Sequence, residues 1–186
     1  MAQTFQTYTP DQLPDAETLY ANLLAAVRQE IAALPKDLVH LVGIYSGGAW
    51  LAERLQRDLN LEQAFGTLDI SFYRDDFDKI GLHAQVLPSD ISFPVTGKHL
   101  ILVDDVLYTG RTIRAAMNEL FDYGRPASIR LAVLVDRGGR ELPIAAVAVG
   151  GEASPAPAGS LVLSQTPDGG LILTVEKEEN ACATPN

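Results

Sequence analysis

This sequence is poor in the residues that build disulfide frameworks, metal clusters and basic binding surfaces. Cysteine occurs once in 186 residues, as Cys182. One thiol closes no intrachain disulfide and supplies no cysteine cluster, which fits a reducing compartment. Histidine is scarce too. His40 sits in an apolar stretch and is expected to be a packed core residue, while His83 and His99 stand apart with no ligand spacing to the acids. Positive charge is in short supply: 14 Lys and Arg against 24 Asp and Glu give a formal net charge of −10. Such a chain has no overall attraction for nucleic acid or an anionic membrane. The opening MAQTFQTYTPDQLPD has neither a basic segment nor an apolar core, so no secretory signal is expected there. The longest uncharged apolar stretch, Leu38 to Ala52, falls short of the roughly 20 residues a spanning helix needs, and His40, Ser46 and glycines interrupt it. The expectation is a cytoplasmic protein without a membrane segment.

What is present suits one α/β domain with a sizeable core: 47% hydrophobic and 20% charged residues. Leu19, Tyr20, Leu23, Leu24, Val27, Ile31 and Leu34 recur at helical spacing, with Asp15 as a cap and Pro35 as a stop. LVHLVGIY reads as a buried strand, SGG as a tight turn, and AWLAERLQRDL as a helix with Leu51, Leu55 and Leu59 on one face. A strand is expected near 67–73, then a mobile polar segment and a return strand near 82–87. HLILV, SIRLAVLVD and IAAVAVG read as further buried strands, and TIRAAMNELFDYG as a helix stopped by Gly124. This alternation predicts a mainly parallel sheet flanked by helices. After Gly150, GEASPAPAGS is linker-like, LVLSQTPDGGLILTVE predicts a hairpin around Asp168-Gly169-Gly170, and the last residues are expected to fray. The organisation is therefore a single domain over 1–186, with a core at 15–150 and a linker, hairpin and tail at 151–186.

One stretch carries chemistry: LILVDDVLYTGRT, Leu100 to Thr112. An apolar run stops at two carboxylates, Asp104 and Asp105. The segment Val106, Leu107, Tyr108, Thr109, Gly110, Arg111 and Thr112 then leads into a helix. Backbone amides, the helix dipole and the threonine hydroxyls of such a segment can hold a phosphate, and Gly110 lets the backbone approach it. Carboxylates repel phosphates, so one ligand class fits both: a sugar phosphate, with hydroxyls for the acids and a 5′-phosphate for the loop. Carboxylates would also stabilise an oxocarbenium-like transition state at the sugar.

ILVDDVLYTGRT resembles the ribose-5-phosphate signature of type I phosphoribosyltransferases. GTLDISFYRDD, DDVLYTGRTIRAAMNELFDYGRP and IRLAVLVDRGGRELPI are similar, in order, to the pyrimidine operon attenuation protein/uracil phosphoribosyltransferase family (PyrR-type), over about residues 15–150. The resemblance implies the type I phosphoribosyltransferase fold with a flexible loop and a small hood. It implies transfer of phosphoribosyl from 5-phosphoribosyl 1-pyrophosphate (PRPP) to uracil, giving UMP and pyrophosphate, with magnesium bound through the pyrophosphate and no metal held by the protein alone. Asp104 and Asp105 would hold the ribose hydroxyls, and Val106 to Thr112 the 5′-phosphate. Arg74, in the flexible loop, would face the pyrophosphate, with Ser46, Gly47 and Gly48 forming a further anion loop. Asp136, Arg137 and the segment to Pro143 would lie near the base. A homodimer or tetramer and a role in pyrimidine salvage are implied as well.

Two departures keep a second reading open. The family's pyrophosphate loop carries a basic–Thr–Arg–Gly run where this chain has Tyr45-Ser46-Gly47-Gly48. Family members that bind messenger RNA use basic and His side chains where this chain has Ala21, Asn22, Ala26, Gly139, Ala145 and Gly151. Weak RNA binding is therefore expected. The alternative to the enzyme is a catalytically weak, nucleotide-sensing or RNA-binding regulator of pyrimidine gene expression acting by transcription attenuation. A serine hydrolase built on Ser46 is disfavoured, since the local pattern is not Gly-x-Ser-x-Gly and no His follows the acid pair.

Overall fold

Runs that are apolar on both faces of a strand need cover on both sides, and the fold supplies it. The computed structural model describes residues 6–9, 15–70, 88–153 and 159–176. Its elements are β1 (Thr7–Tyr8), α1 (Ala16–Ile31), a 3-10 turn (Lys36–Leu38), β2 (Val39–Ile44), α2 (Gly47–Leu59), β3 (Gly66–Leu68), β4 (His99–Leu107), α3 (Arg111–Tyr123), β5 (Ser128–Asp136), β6 (Ala148–Ala153), β7 (Ser160–Gln165) and β8 (Leu171–Glu176). One sheet has the order β1-β6-β5-β4-β2-β3, and each of its ladders is parallel. On β4, Ile101 and Val103 pack with α1 and α2, whereas Leu100 and Leu102 pack with α3. That two-sided burial is why the strand reads as an unbroken apolar run.

The connectivity fixes where a ligand can sit. From β2 the chain passes to β3 on one side and resumes at β4 on the other. The carboxyl ends of β2 and β4 therefore flank the point where the winding reverses, the usual ligand crevice of such sheets.

Several element bounds differ from the sequence expectation. β4 does not end at the acid pair. It runs on to Leu107, with Val106 opposite Val135 and Leu107 opposite Asp136. The loop thus begins two residues later, at Tyr108. The SGG segment is not a turn ahead of a helix, since Gly47 and Gly48 already belong to α2. β6 covers 148–153 rather than 144–150, because its far end is paired: Thr7 lies opposite Glu152 and Tyr8 opposite Ala153 on β1. The sheet is therefore wider than a core at 15–150. Tyr73 to Asp76, and with them Arg74, lie outside the described residues, as does the expected return strand near 82–87.

Strands β7 and β8 form an antiparallel hairpin turning at Asp168-Gly169-Gly170. Leu161, Leu163 and Leu171 are buried in the same cluster as Leu23 and Leu51. Glu17 of α1 joins helix and hairpin. Its Oε1 accepts the Leu171 amide at 3.0 Å, and Arg54 of α2 donates to its two carboxylate oxygens at 2.9 and 2.6 Å. Those Arg54 bonds hold the Glu17 carboxyl below its ordinary value. Among the described residues no helix is long and apolar enough to cross a membrane.

His40 is a core residue, as expected. It is buried on β2, stacks on Phe93 with ring centroids 4.0 Å apart, and lies 3.1 Å from the Ala64 carbonyl through Nδ1. That contact assigns the proton to Nδ1, which donates. Burial pushes the His40 pKa below its ordinary value. The unfolded chain takes up a proton near pH 6.5, whereas the folded chain resists it until lower pH. Stability supplied by neutral His40 is thus complete above about pH 6.5 and declines as pH falls through the depressed folded value. The expected result is a wild-type Tm that drops relative to His40→Gln between neutral pH and pH 5.5. A Tm difference independent of pH would show that His40 does not titrate in this way.

Candidate active site

The site grows from two helix starts and one strand. α1 begins with a satisfied cap, the Asp15 carboxylate accepting the amides of Glu17 and Thr18 at 3.0 Å. The helices at the carboxyl edge of the sheet begin otherwise. Ser46 before α2 and Gly110 before α3 make no side-chain cap bond, and neither helix has an acid in its first turn. First-turn amides without a side-chain cap are anion-binding groups. Gly110 has φ +91°, which a side chain would strain, so the turn into α3 can use it without cost. Thr109 Oγ1 accepts the Arg111 amide at 3.3 Å.

Between these helix starts lie the acids. Asp104 is buried, and Asp105 is half-buried. Asp104 Oδ1 accepts the Asp105 amide at 3.0 Å, and Asp105 Oδ1 accepts the Val106 amide at 2.8 Å. Each carboxylate is therefore oriented by the next peptide. The start of α2 is pressed against them. A Cβ on Gly47 would fall 2.5 Å from Asp105 Oδ2, and one on Gly48 would overlap the Val103 carbonyl oxygen and approach Asp104 Cα to 3.0 Å. Two adjacent glycines are what allow the anion loop of β2–α2 to touch the acid pair of β4. The peptide between Tyr45 and Ser46 is cis.

The structure thus brings Gly47 and Gly48 against Asp105 and Asp104, with Ser46 just ahead of α2 and the Tyr108 to Thr112 turn just after β4. Val106 and Leu107 belong to the strand, with Leu107 buried in the core. Arg111 forms an ion pair with Glu141, Nε and Nη2 lying 2.8 and 2.7 Å from Oε2. Asp136 and Arg137 stand at the end of β5, beside that turn. The Arg137 amide donates to the Leu107 carbonyl at 3.0 Å, and its guanidinium lies 4.1 Å from the centroid of the Tyr108 ring, a cation–π contact. Arg130 of β5 donates to the Glu30 carbonyl at 2.6 Å and pairs with its carboxylate at 3.1 Å.

The resemblance puts the segment to Pro143 near the base without a separate role for Arg140 or Glu141, which tie the 137–147 segment to the turn after β4. The Glu141 and Leu142 amides donate to the Thr109 carbonyl at 3.0 and 3.1 Å, and Arg140 donates to the Tyr108 carbonyl at 2.6 Å. No local pattern signals these contacts, because the partners are about thirty residues apart in an irregular segment.

Among the described residues no group of three or more His, Cys, Asp or Glu could hold a metal ion by itself. The geometry offers two carboxylates near two helix starts whose first turns hold no acid, an arrangement that could take a sugar with phosphate groups at both ends.

Comparison with known proteins agrees. The phosphoribosyl transferase domain matches residues 11–156. The bifunctional protein PyrR of Nitrosococcus oceani is 53% identical over 136 residues, 72% of this chain and 77% of that protein. The bifunctional protein PyrR of Ralstonia nicotianae is 52% identical over 155 residues, 83% of this chain and 88% of that protein. In fold, the chain is similar to a solved hypoxanthine-guanine phosphoribosyltransferase of Bacillus anthracis, with TM-score 0.64 and 20% identity over 83% of this chain and 88% of that one. The domain match over residues 11–156 and these relatives show that the chain belongs to the phosphoribosyl transferase domain family, and within that family to the PyrR proteins.

Proposed function

We propose that this protein transfers the phosphoribosyl group of PRPP to uracil, giving UMP and pyrophosphate. The observation that carries the reading is the contact between the start of α2 and the acid pair of β4. Asp105 packs against Gly47 at the start of α2, while the same strand leads through Tyr108 into the glycine start of α3. The acid pair thus touches the start of α2 and precedes the start of α3 by a few residues, which supports a phosphate group at each.

In the reaction, uracil N1 forms a bond to C1 of the ribose as the bond from C1 to the pyrophosphate oxygen breaks. The N1 proton is lost, and the electron pair leaves with pyrophosphate. Asp104 and Asp105 accept hydrogen bonds from the ribose hydroxyls and stabilise positive charge developing at the ring. The Tyr108 to Thr112 turn, with the ends of Val106 and Leu107 behind it, takes the 5′-phosphate. Ser46, Gly47 and Gly48 take the pyrophosphate through first-turn amides, and Arg74 faces the same group from its loop. Asp136 and Arg137 serve the base side. Magnesium fits this arrangement: two carboxylates beside an anion loop suit an ion carried mostly by substrate oxygens and water. When bound, it neutralises charge on the leaving pyrophosphate.

The test is steady-state UMP formation from uracil and PRPP with magnesium, with orotate, hypoxanthine and guanine as competing bases. Turnover with uracil alone is expected. Thr109→Val with Gly110→Ala is expected to abolish UMP binding by removing a hydroxyl and straining the turn. Full UMP affinity in that double variant would place the phosphate elsewhere.

A second reading has two points in its favour: the relatives named above are called bifunctional, and Tyr45 and Gly47 stand where the resemblance implies cationic side chains in the pyrophosphate loop. On that reading the chain senses nucleotide and regulates, with little turnover. Saturable UMP binding without turnover on any base would favour it. A salt-dependent gel shift with pyrimidine-leader RNA, strengthened by UMP, would assign RNA as the partner.

A further inference from the structure

The segment from Arg137 to Val147, between β5 and β6, has no helix or strand of its own. An irregular segment must find partners for its peptide groups elsewhere. Here one side chain supplies many of them. Arg140 Nε donates to the Ile144 carbonyl at 3.0 Å. Its Nη1 donates to the carbonyls of Tyr108 at 2.6 Å, and of Leu107 and Gly138 at 3.3 Å each. Its Nη2 pairs with Asp136 Oδ2, while Asp136 Oδ1 accepts the Gly138 amide at 2.9 Å.

From this geometry we propose that Arg140 is a positioning residue that locks the base-side segment to the phosphate turn, and that Asp136 serves base binding through Arg140 rather than by touching the base. The proposal rests on the uracil transfer proposed above. Its acceptors come from both sides of the crevice: Leu107 and Tyr108 at the end of β4, and Gly138 and Ile144 on the segment after β5. Only a planar fork with several N–H groups can reach them together, which an ammonium cannot do. The Arg140 and Asp136 side chains are 24% and 19% exposed, so the pair is shielded from much of the solvent screening that weakens surface ion pairs. The Glu141 and Leu142 amides on the Thr109 carbonyl continue the same seam. A base held by one side and a phosphate held by the other are thereby kept at a fixed separation, as reaction at C1 requires.

The experiment compares the full-length chain with Arg140→Ala and Arg140→Lys. In Arg140→Ala, KM for uracil and Kd for UMP are expected to rise about tenfold or more, while KM for PRPP stays within about threefold. Millimolar guanidinium chloride is expected to restore the uracil KM of Arg140→Ala, with sodium chloride and methylammonium chloride ineffective. Arg140→Lys is expected to behave like Arg140→Ala. An unchanged uracil KM and UMP Kd would overturn the proposal. So would KM values for uracil and PRPP rising together with no guanidinium rescue, the mark of general loosening. If Arg140→Ala does not fold, Asp136→Asn keeps the size of the side chain and is expected to raise the uracil KM without changing that for PRPP. Its effect should be less than additive with Arg140→Lys. UMP affinity, measured by calorimetry, needs no turnover. Failure of the unsubstituted chain to use uracil would count against the proposed reaction, whereas turnover with an unmoved UMP affinity in the variants would count against Arg140 alone.

Discussion

Gly48→Ala is expected to cost the protein stability and activity together. The added methyl would overlap the Val103 carbonyl oxygen and crowd Asp104 Cα, and both are backbone atoms of a central strand. They cannot swing aside as a side-chain tip can, so α2 must lift off β4. Alanine's better helix propensity returns at most about 1 kcal/mol. Overpacking against fixed backbone costs about 3 kcal/mol or more, so the clash wins. The net loss of about 2 kcal/mol corresponds, for a chain of this length, to a Tm lower by roughly 4–8 °C. Gly47→Ala makes the informative contrast. Its methyl would meet the Asp105 carboxylate, which can rotate, and Asp105 Cβ at 2.9 Å, which cannot. A smaller loss of Tm than in Gly48→Ala, with kcat/KM reduced, is the expected outcome there. Equal stability for wild type and Gly48→Ala in thermal unfolding would show that α2 does not press on β4 as described.

Asp105→Asn is expected to lower kcat/KM for UMP formation by about a hundredfold, or ~2.7 kcal/mol of transition-state stabilisation. The amide oxygen can still accept the Val106 N–H, so the local backbone is kept and the Tm should stay close to that of the wild type. What is removed is negative charge beside the ribose. If that charge acts only in the transition state, kcat and kcat/KM fall together. If it serves ground-state binding alone, KM rises and kcat stays. Kinetics identical to the wild type would remove Asp105 from the site. Asp105→Ala is the less informative change, because it also strips the Val106 amide of its acceptor.

The architecture was legible because the central strands are covered on both sides. Leu100 to Val103 and Leu131 to Val135 leave no polar alternation to confuse with a surface strand, and the helices keep one apolar stripe each. What local pattern could not reveal was pairing decided by a distant partner. β1 is two residues long and exists because Glu152 and Ala153 offer it an edge. Asp104 and Asp105 look like the end of a strand, yet the ladder runs past them because Val106 and Leu107 still have β5 beside them. At the candidate site, the acid pair and the turn into α3 lie within one continuous stretch, so their juxtaposition follows from the sequence. The approach of Gly47 to Asp105 bridges two strands, and the fork of Arg140 bridges two loops. Neither spacing has a local signature.

The hairpin carries a practical consequence for anyone dissecting the chain. Similarity to the domain family ends at residue 156, before either hairpin strand begins. Folding does not end there. A fragment cut at that boundary would strip the α1–α2 face of Leu161, Leu163 and Leu171, and would take from Glu17 the Leu171 amide that it accepts. The boundary drawn by resemblance and the boundary drawn by solvent exclusion are thus different, and a C-terminal fusion belongs beyond Glu176.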